Sequence, residues 1–370
     1  MTTIRAVWPE LPPVEDWTPY LTPAYDKNWH TNTGPVSQQL ETRMHTMFGH
    51  AGETVTMVNN ATSGLSACLI AQHISGPVIC PGFTFQATAC AILGANCQPF
   101  IVDVDADTGV VTPETLQTAL SETGAKAAML VAPYGIATDF AEHAAICHAA
   151  GAILIIDNAA GLGVTRPSVV QPATVYEVFS LHATKVFGIG EGGAIISDAA
   201  DQPALRSAIN FGLNTHSATG SDTRPYWGIN GKMSEAAAAI GLAVADTFET
   251  RVAHRQDMAA RWIAALDTVP IRVFERDITR APWQVFPVVL QDDATTTRFV
   301  EAMAAQNIEL RRYYKPSLGA CSGMPRMGDC PASLDLSLRV AVLPIRSYMP
   351  QADQEALMTS TLSVLHDIHR

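Results

Sequence analysis

The chain has 370 residues and a net charge of −12, with 48% hydrophobic and only 16% charged residues. No basic run or basic-aromatic stripe accompanies that acidic balance, which argues against a nucleic-acid surface, and the apolar content argues against a disordered or coiled-coil protein. The length suits a large domain with a smaller one attached, or two comparable ones, with small molecules as partners.

The N-terminus, Met1-Thr-Thr-Ile-Arg-Ala-Val-Trp-Pro-Glu-Leu-Pro-Pro13, lacks a continuous apolar core of the kind an export signal needs, and no later stretch is uniformly apolar enough to cross a bilayer. A soluble, unexported protein without membrane partners is expected. Seven cysteines, scattered without CxxC pairs, favour reduced thiols and a cytoplasmic location. His143 and Cys147 stand four apart on a predicted helix but have no companion pair nearby, so no metal is expected.

Residues 1–35, rich in Pro, Trp and Tyr and closing with Thr31-Asn-Thr-Gly-Pro35, read as an extended N-terminal arm ending in a turn. A helical pattern then carries Leu40, Met44 and Phe48 to Gly49, and Thr54–Val58 reads as a buried strand. Asn59-Asn-Ala-Thr-Ser63 leads into the helical Gly64–Gln72. The exposed N–H groups of such a first turn, with the hydroxyls of Thr62 and Ser63, outline an anion site, although a plain helix cap gives the same pattern.

Val78–Cys80 is the next strand, followed by Pro81-Gly-Phe-Thr-Phe-Gln-Ala-Thr88 and a helix beginning near Ala89. Phe85, in the loop between them, is either core filling or a platform for a flat ligand. Strands Phe100–Val104, Ala127–Val131 and Ala152–Ile156 alternate with helices near Pro113–Leu120 and Phe140–Ala150. Runs apolar on both faces and separated by helices call for a mostly parallel α/β sheet, with ligands at the carboxyl ends of its strands. Asp157 ends the most hydrophobic of these strands, where it could form a turn or pair with a buried cation.

Val175–Ser180 is another alternating run, leading through His182 and Thr184 to Lys185 and the cluster Gly188-Ile-Gly-Glu-Gly-Gly193. That cluster matches G-x-G-x-x-G, but Ala194–Ser197 continues as a strand rather than opening a helix, so a dinucleotide site is not expected. A lysine held among apolar neighbours has its ammonium disfavoured, and its neutral amine can form a Schiff base. The natural aldehyde partner is pyridoxal phosphate, which asks for a carboxylate at its ring nitrogen, donors at its phosphate and a flat group against its ring. Past Asp198 come a helix, a Gly/Asn/Thr/Ser-rich loop from Gly212 to Ser221, and a long helix over Ala236–Leu266. Val285–Leu290 and Val340–Leu343 read as strands of a small α+β domain. The predicted division is an arm over 1–35, a large cofactor-binding domain over 36–246 and a small domain over 247–370.

Thr33-Gly-Pro35, Phe83-Thr-Phe-Gln-Ala-Thr88, Pro99-Phe-Ile-Val-Asp-Val-Asp105, Phe179-Ser-Leu-His-Ala-Thr-Lys185, Glu191-Gly-Gly193, Asn230-Gly-Lys-Met-Ser-Glu235 and Leu343-Pro344 together resemble the DegT/DnrJ/EryC1/StrS aminotransferases, through nearly the whole chain. The resemblance is to pyridoxal-phosphate enzymes of the aspartate aminotransferase-like fold type I, and most similar to the branch that aminates nucleotide-linked 4-keto-6-deoxyhexoses. It implies a mostly parallel mixed sheet in a large domain, a small C-terminal α+β domain, and a homodimer with the active site at the subunit interface. It implies that Lys185 bonds the cofactor and moves protons, that Asp157 pairs with the ring nitrogen, and that Phe85 stacks on the ring. Ala61, Thr62 and Ser180 would surround the phosphate, and Asn230 would reach the phosphate of the neighbouring subunit. Thr33, His182, Arg311 and Tyr313 would lie near the substrate, and L-glutamate is the expected amino donor.

Three positions depart from the family pattern: Ala160 where Gln or His is usual, Gly319 in place of the His of Pro-Leu-His, and Ala61 for a common glycine. Three other readings stay open. They are an aminotransferase of a non-sugar cyclic ketone, a deoxysugar dehydratase, which in this family typically carries histidine in place of the lysine, and a cofactor-binding sensor without turnover.

Overall fold

A computed structural model describes residues 3–164, 166, 173–213 and 227–368. Seven strands make the main sheet: β1 (Glu53–Val58), β2 (Pro77–Pro81), β3 (Gln98–Val102), β4 (Ala127–Val131), β5 (Ile153–Asp157), β6 (Val175–Ser180) and β7 (Gly193–Asp198). Their order is β1-β7-β6-β5-β4-β2-β3. Neighbours from β3 to β6 run parallel, while β7 is antiparallel to both β6 and β1.

Side-chain alternation sorts the strands' apolar residues into two cores. Ile79, Ala128, Leu130, Leu154 and Ile156 enter one; Val78, Cys80, Ala127, Met129, Ile153 and Ile155 enter the other. Every residue of β4 and β5 is buried, because helices cover both faces, and this is why these strands are continuously apolar in sequence. A consequence is that polar groups can enter only at the strand ends. Asp157 occupies such an end.

A second, antiparallel sheet of β8 (Arg272–Val273), β9 (Phe286–Val289) and β10 (Val340–Leu343) has the order β10-β9-β8. The 32-residue helix Glu235–Leu266 joins the two halves, opened by the Ser234 hydroxyl accepting from the Ala237 N–H. It contributes Leu242 and Phe248 to a core beside the main sheet and Met258, Trp262 and Leu266 to the core around the second sheet.

Two sequence expectations change, and a third lies mostly outside the described residues. The arm is not extended throughout: Val14–Trp17 and Thr22–Asp26 are helical, with a 3-10 turn at Thr18–Leu21 between them. Prolines 13, 19 and 23 fall at the cap or in the first turn of these elements, where a fixed φ and a missing N–H favour helix entry. The helix after β2 starts at Gln86 rather than near Ala89, since Phe85 with its extended backbone is the cap residue. The polar loop from Gly212 to Ser221 lies outside the described residues from position 214 onward.

Candidate active site

At the carboxyl ends of β4, β5 and β6 a cavity of about 750 Å³ is lined by Ala61, Thr62, Phe85, Asp157, Ser180, His182, Lys185, Arg311 and Tyr313. Nine side chains that sequence places up to 252 positions apart thus face one space. Lys185 sits in the connection between β6 and β7, whose antiparallel register pairs Ser180 with Gly193. Backbone bonds staple that connection: Leu181 N–H to Gly192 C=O, Ala183 N–H to Gly190 C=O and Lys185 N–H to His182 C=O, at 2.9, 2.7 and 2.8 Å. Gly188 is required by close approach, for a Cβ there would lie 2.6 Å from the Ala183 carbonyl oxygen. The glycine cluster therefore shapes a lysine-bearing loop, and β7 follows it directly.

Burial pushes the Lys185 amine down to about 8, against the opposing pull of the Asp157 carboxylate. Its Nζ donates to Gln284 Oε1 at 3.0 Å. Asp157 is buried, which pushes its carboxyl upward; the Thr88 hydroxyl, the charge of Lys185 and the Ala159 N–H act the other way. Thr88 Oγ1 donates to Asp157 Oδ2 at 2.8 Å, so its own oxygen accepts from Thr84 Oγ1, 2.7 Å away. A directed chain of hydroxyls thereby fixes the carboxylate.

The helix Ala61–Ala71 points its first turn at the cavity. Asn60 caps it, its Oδ1 accepting from the Ser63 N–H at 2.8 Å. Phe85 is 58% exposed and lines the cavity, which identifies it as a wall of that cavity rather than core filling. Behind it Tyr314 stacks on Tyr134 with ring planes 4° apart. At the mouth, His182 Nδ1 contacts Thr184 Oγ1 at 2.9 Å and Nε2 stands 3.7 Å from Glu191. Arg311 donates to Glu309 and to the Tyr313 hydroxyl at 3.0 and 3.1 Å.

Two expected site residues do not line this protomer's cavity, Asn230 being the one expected to serve the neighbouring subunit. Thr33 lines a separate groove and receives a hydrogen bond from Arg206. Asn230 lies outside the cavity, its Oδ1 accepting from Lys232 Nζ at 2.6 Å and its backbone carbonyl accepting from Asn59. Conversely, Thr88, Gln284 and Tyr314 belong to the site and escaped the sequence reading as individual contributors. Gln284 did leave a signal: it is the lone polar side chain within Ala281–Leu290.

Of the three departures, Ala160 lines the cavity, and its backbone is packed against Gly135, where a Cβ would come within 2.3 Å of the Ala160 carbonyl. Gly319 sits in a turn whose cap Ser317 bonds the Gly82 carbonyl at 2.7 Å. Ala61 is buried against β7.

These residues fit pyridoxal phosphate on a structural ground. Asp157 is a buried carboxylate bonded by one hydroxyl and one backbone N–H, and a protonated ring nitrogen is the partner that would relieve its desolvation. The amine, helix N-terminus and open aromatic face meet the group's other three needs.

The DegT/DnrJ/EryC1/StrS aminotransferase family profile matches residues 14–361. A dTDP-4-amino-4,6-dideoxy-D-glucose transaminase of Escherichia coli is 31% identical over 341 residues, covering 90% of this chain and 89% of that one. A transaminase of the same name from Shigella dysenteriae is 29% identical, covering 92% and 93%. The solved structure of DesI in the presence of its TDP-sugar product superposes with a TM-score of 0.87 at 27% identity, covering 100% of this chain and 94% of that one.

Proposed function

As the chain belongs to the DegT/DnrJ/EryC1/StrS aminotransferase family, and is a pyridoxal-phosphate-dependent aminotransferase, we propose that it moves an amino group from L-glutamate to a nucleotide-linked 4-keto-6-deoxyhexose. The observation that carries this reading is the half-buried Lys185 beside the buried Asp157 in one cavity with Phe85 and a helix N-terminus. Bound there, pyridoxal phosphate supplies an aldehyde carbon that exchanges amino groups and a ring that accepts electrons. Asp157 holds the ring nitrogen protonated, and the Thr84–Thr88 hydroxyl chain holds Asp157. Ala61, Thr62 and Ser180 would hold the cofactor's phosphate and Phe85 would lie against its ring. Lys185 Nζ would hold the cofactor's aldehyde carbon, and as a free amine would take the Cα proton of the donor and return a proton to the product, which its lowered pKa suits.

Arg311 is the cation besides Lys185 that lines this cavity among the described residues, which favours substrates bearing a carboxylate or phosphate. His182 and Tyr313 share that mouth, whereas Thr33 lines a separate groove. The two transaminases named for a dTDP sugar and DesI, solved with its TDP-sugar product, support the sugar nucleotide as acceptor. A lysine at position 185, not a histidine, speaks against dehydration.

The functional unit in this reading is a two-fold dimer in which Asn230 approaches the partner's phosphate. Exposed Phe211 and Trp227 flank Asn230, with Lys232 Nζ 4.3 Å above the Phe211 ring, giving that surface apolar area to bury. No described helix is long and apolar enough to cross a membrane, and seven unbonded cysteines suit the cytoplasm.

The experiment is to record absorbance with pyridoxal phosphate before and after glutamate, beside Lys185→Ala, and then to offer dTDP-4-keto-6-deoxyglucose. A visible band that needs Lys185, is bleached by glutamate with release of 2-oxoglutarate, and is restored by the keto sugar is expected. A band that no donor bleaches identifies a sensor. Turnover with unlinked cyclic ketones but not with the nucleotide sugar defeats the acceptor assignment.

A further inference from the structure

The Lys185 amine is free at two stages of any such reaction, and a freed four-carbon side chain with four rotatable bonds needs a place to stand. Among the described residues Nζ meets one hydrogen-bond acceptor, Gln284 Oε1 at 3.0 Å. Gln284 is 7% exposed and lines the same cavity. Building on the proposed function, we infer that Gln284 is a positioning residue: its amide oxygen receives the Lys185 amine whenever that amine is not bonded to the cofactor, and keeps it in one place between proton transfers.

The anchoring of Gln284 supports this. Arg255 is buried to 2% exposure, and its Nη1 donates to the backbone carbonyls of Trp283, Gln284 and Ile345 at 3.0, 3.3 and 3.1 Å. Its Nε donates to Ser347 Oγ at 2.8 Å and its Nη2 to Glu10 Oε2 at 2.7 Å. Trp283 takes a left-handed φ of 56°, uncommon for a bulky residue, and is held there by stacking on Phe286 and by its indole N–H donating to Ile278 C=O at 2.8 Å. Backbone strain and a buried guanidinium therefore converge on one peptide, and the side chain they aim is the one that meets Lys185.

The choice of glutamine also has a chemical reason. A neutral amide oxygen orients the amine without adding charge, so Asp157 remains the one acidic group acting on it, and burial keeps the amine a usable base near pH 8. A glutamate of the same shape would hold the proton on the nitrogen. A valine or leucine would leave the amine unbonded and mobile.

The test uses the full chain with Gln284→Glu and Gln284→Leu. Cyanate carbamylation of Lys185 is followed by peptide mass spectrometry against pH, with and without pyridoxal phosphate, and both half-reactions are timed. Gln284→Glu is expected to raise the pKa of the Lys185 amine by about one unit or more. Gln284→Leu is expected to lower kcat of both half-reactions by roughly tenfold or more while the KM for donor changes by less than about twofold, since the amine acts on bound substrate. An unshifted pKa in Gln284→Glu, or wild-type kcat in a folded Gln284→Leu protein, overturns the inference. Wild-type carbamylation that pyridoxal phosphate fails to suppress overturns instead the assignment of Lys185 on which the inference rests.

Discussion

Replacing Lys185 by methionine should make the cofactor-free protein more stable at neutral pH and remove a specific pH dependence. The wild-type amine titrates near 10.5 when exposed and near 8 when folded, with burial as the main cause and Asp157 in opposition. Because the folded pKa is lowered, the unfolded chain binds more protons between those values, and stability rises with pH across that window. Below about pH 8 the folded protein carries a desolvated ammonium, a penalty of roughly 3 kcal/mol at 1.36 kcal/mol per pKa unit. Between about pH 7 and about pH 9.5, roughly 2 kcal/mol of that penalty disappears. Urea unfolding of both proteins at the two pH values gives a double difference in which all other titrating groups cancel, except Asp157. Loss of the lysine raises the Asp157 carboxyl further, so any residual titration of Asp157 in the variant lowers its stability as pH rises and enlarges the same difference. A double difference below about 0.5 kcal/mol, or one of opposite sign, would refute the burial argument.

The half-reaction with glutamate should gain rate through an acid limb near pH 8, since the proton acceptor is the free base of Lys185; a pH-independent rate from about 6.5 to 9 would contradict this. Thr88→Val removes one of two donors from the Asp157 carboxylate, so its carboxyl should rise further, by roughly one pKa unit, in an infrared titration of the C=O stretch. An unmoved band would mean the hydroxyl donates elsewhere. Asn60→Ala should lower stability by about 1 kcal/mol through loss of the Ser63 N–H cap, and Asn60→Gly by only a few tenths. Equal denaturation midpoints for all three proteins would remove the cap from the account.

The sheet was legible because β4 and β5 are buried on both faces, so that five consecutive apolar residues report a covered strand directly. Lys185 and Asp157 were legible for the same reason, each being a charge placed where an apolar run stops. Thr88 and Gln284 were not, because their meaning comes from partners 69 and 99 positions away; a threonine inside a helix and a glutamine before a strand look like ordinary solvated side chains until the fold supplies those partners. The helices of the N-terminal arm were hidden by its prolines, which read as breakers although here they stand at helix entrances.

Ala160 differs from the other cavity residues in how its neighbours hold it. Gly135, at φ 75°, stands so close to the Ala160 backbone that a Cβ there would lie 2.3 Å from its carbonyl, while Ala160 itself lines the cavity. The main chain beside Asp157 is therefore clamped independently of what side chain stands at 160. For enzyme engineering this makes position 160 a replaceable part: libraries that vary it should retain folding and cofactor capture while changing which ketones fit, whereas any residue other than glycine at 135 should abolish both at once.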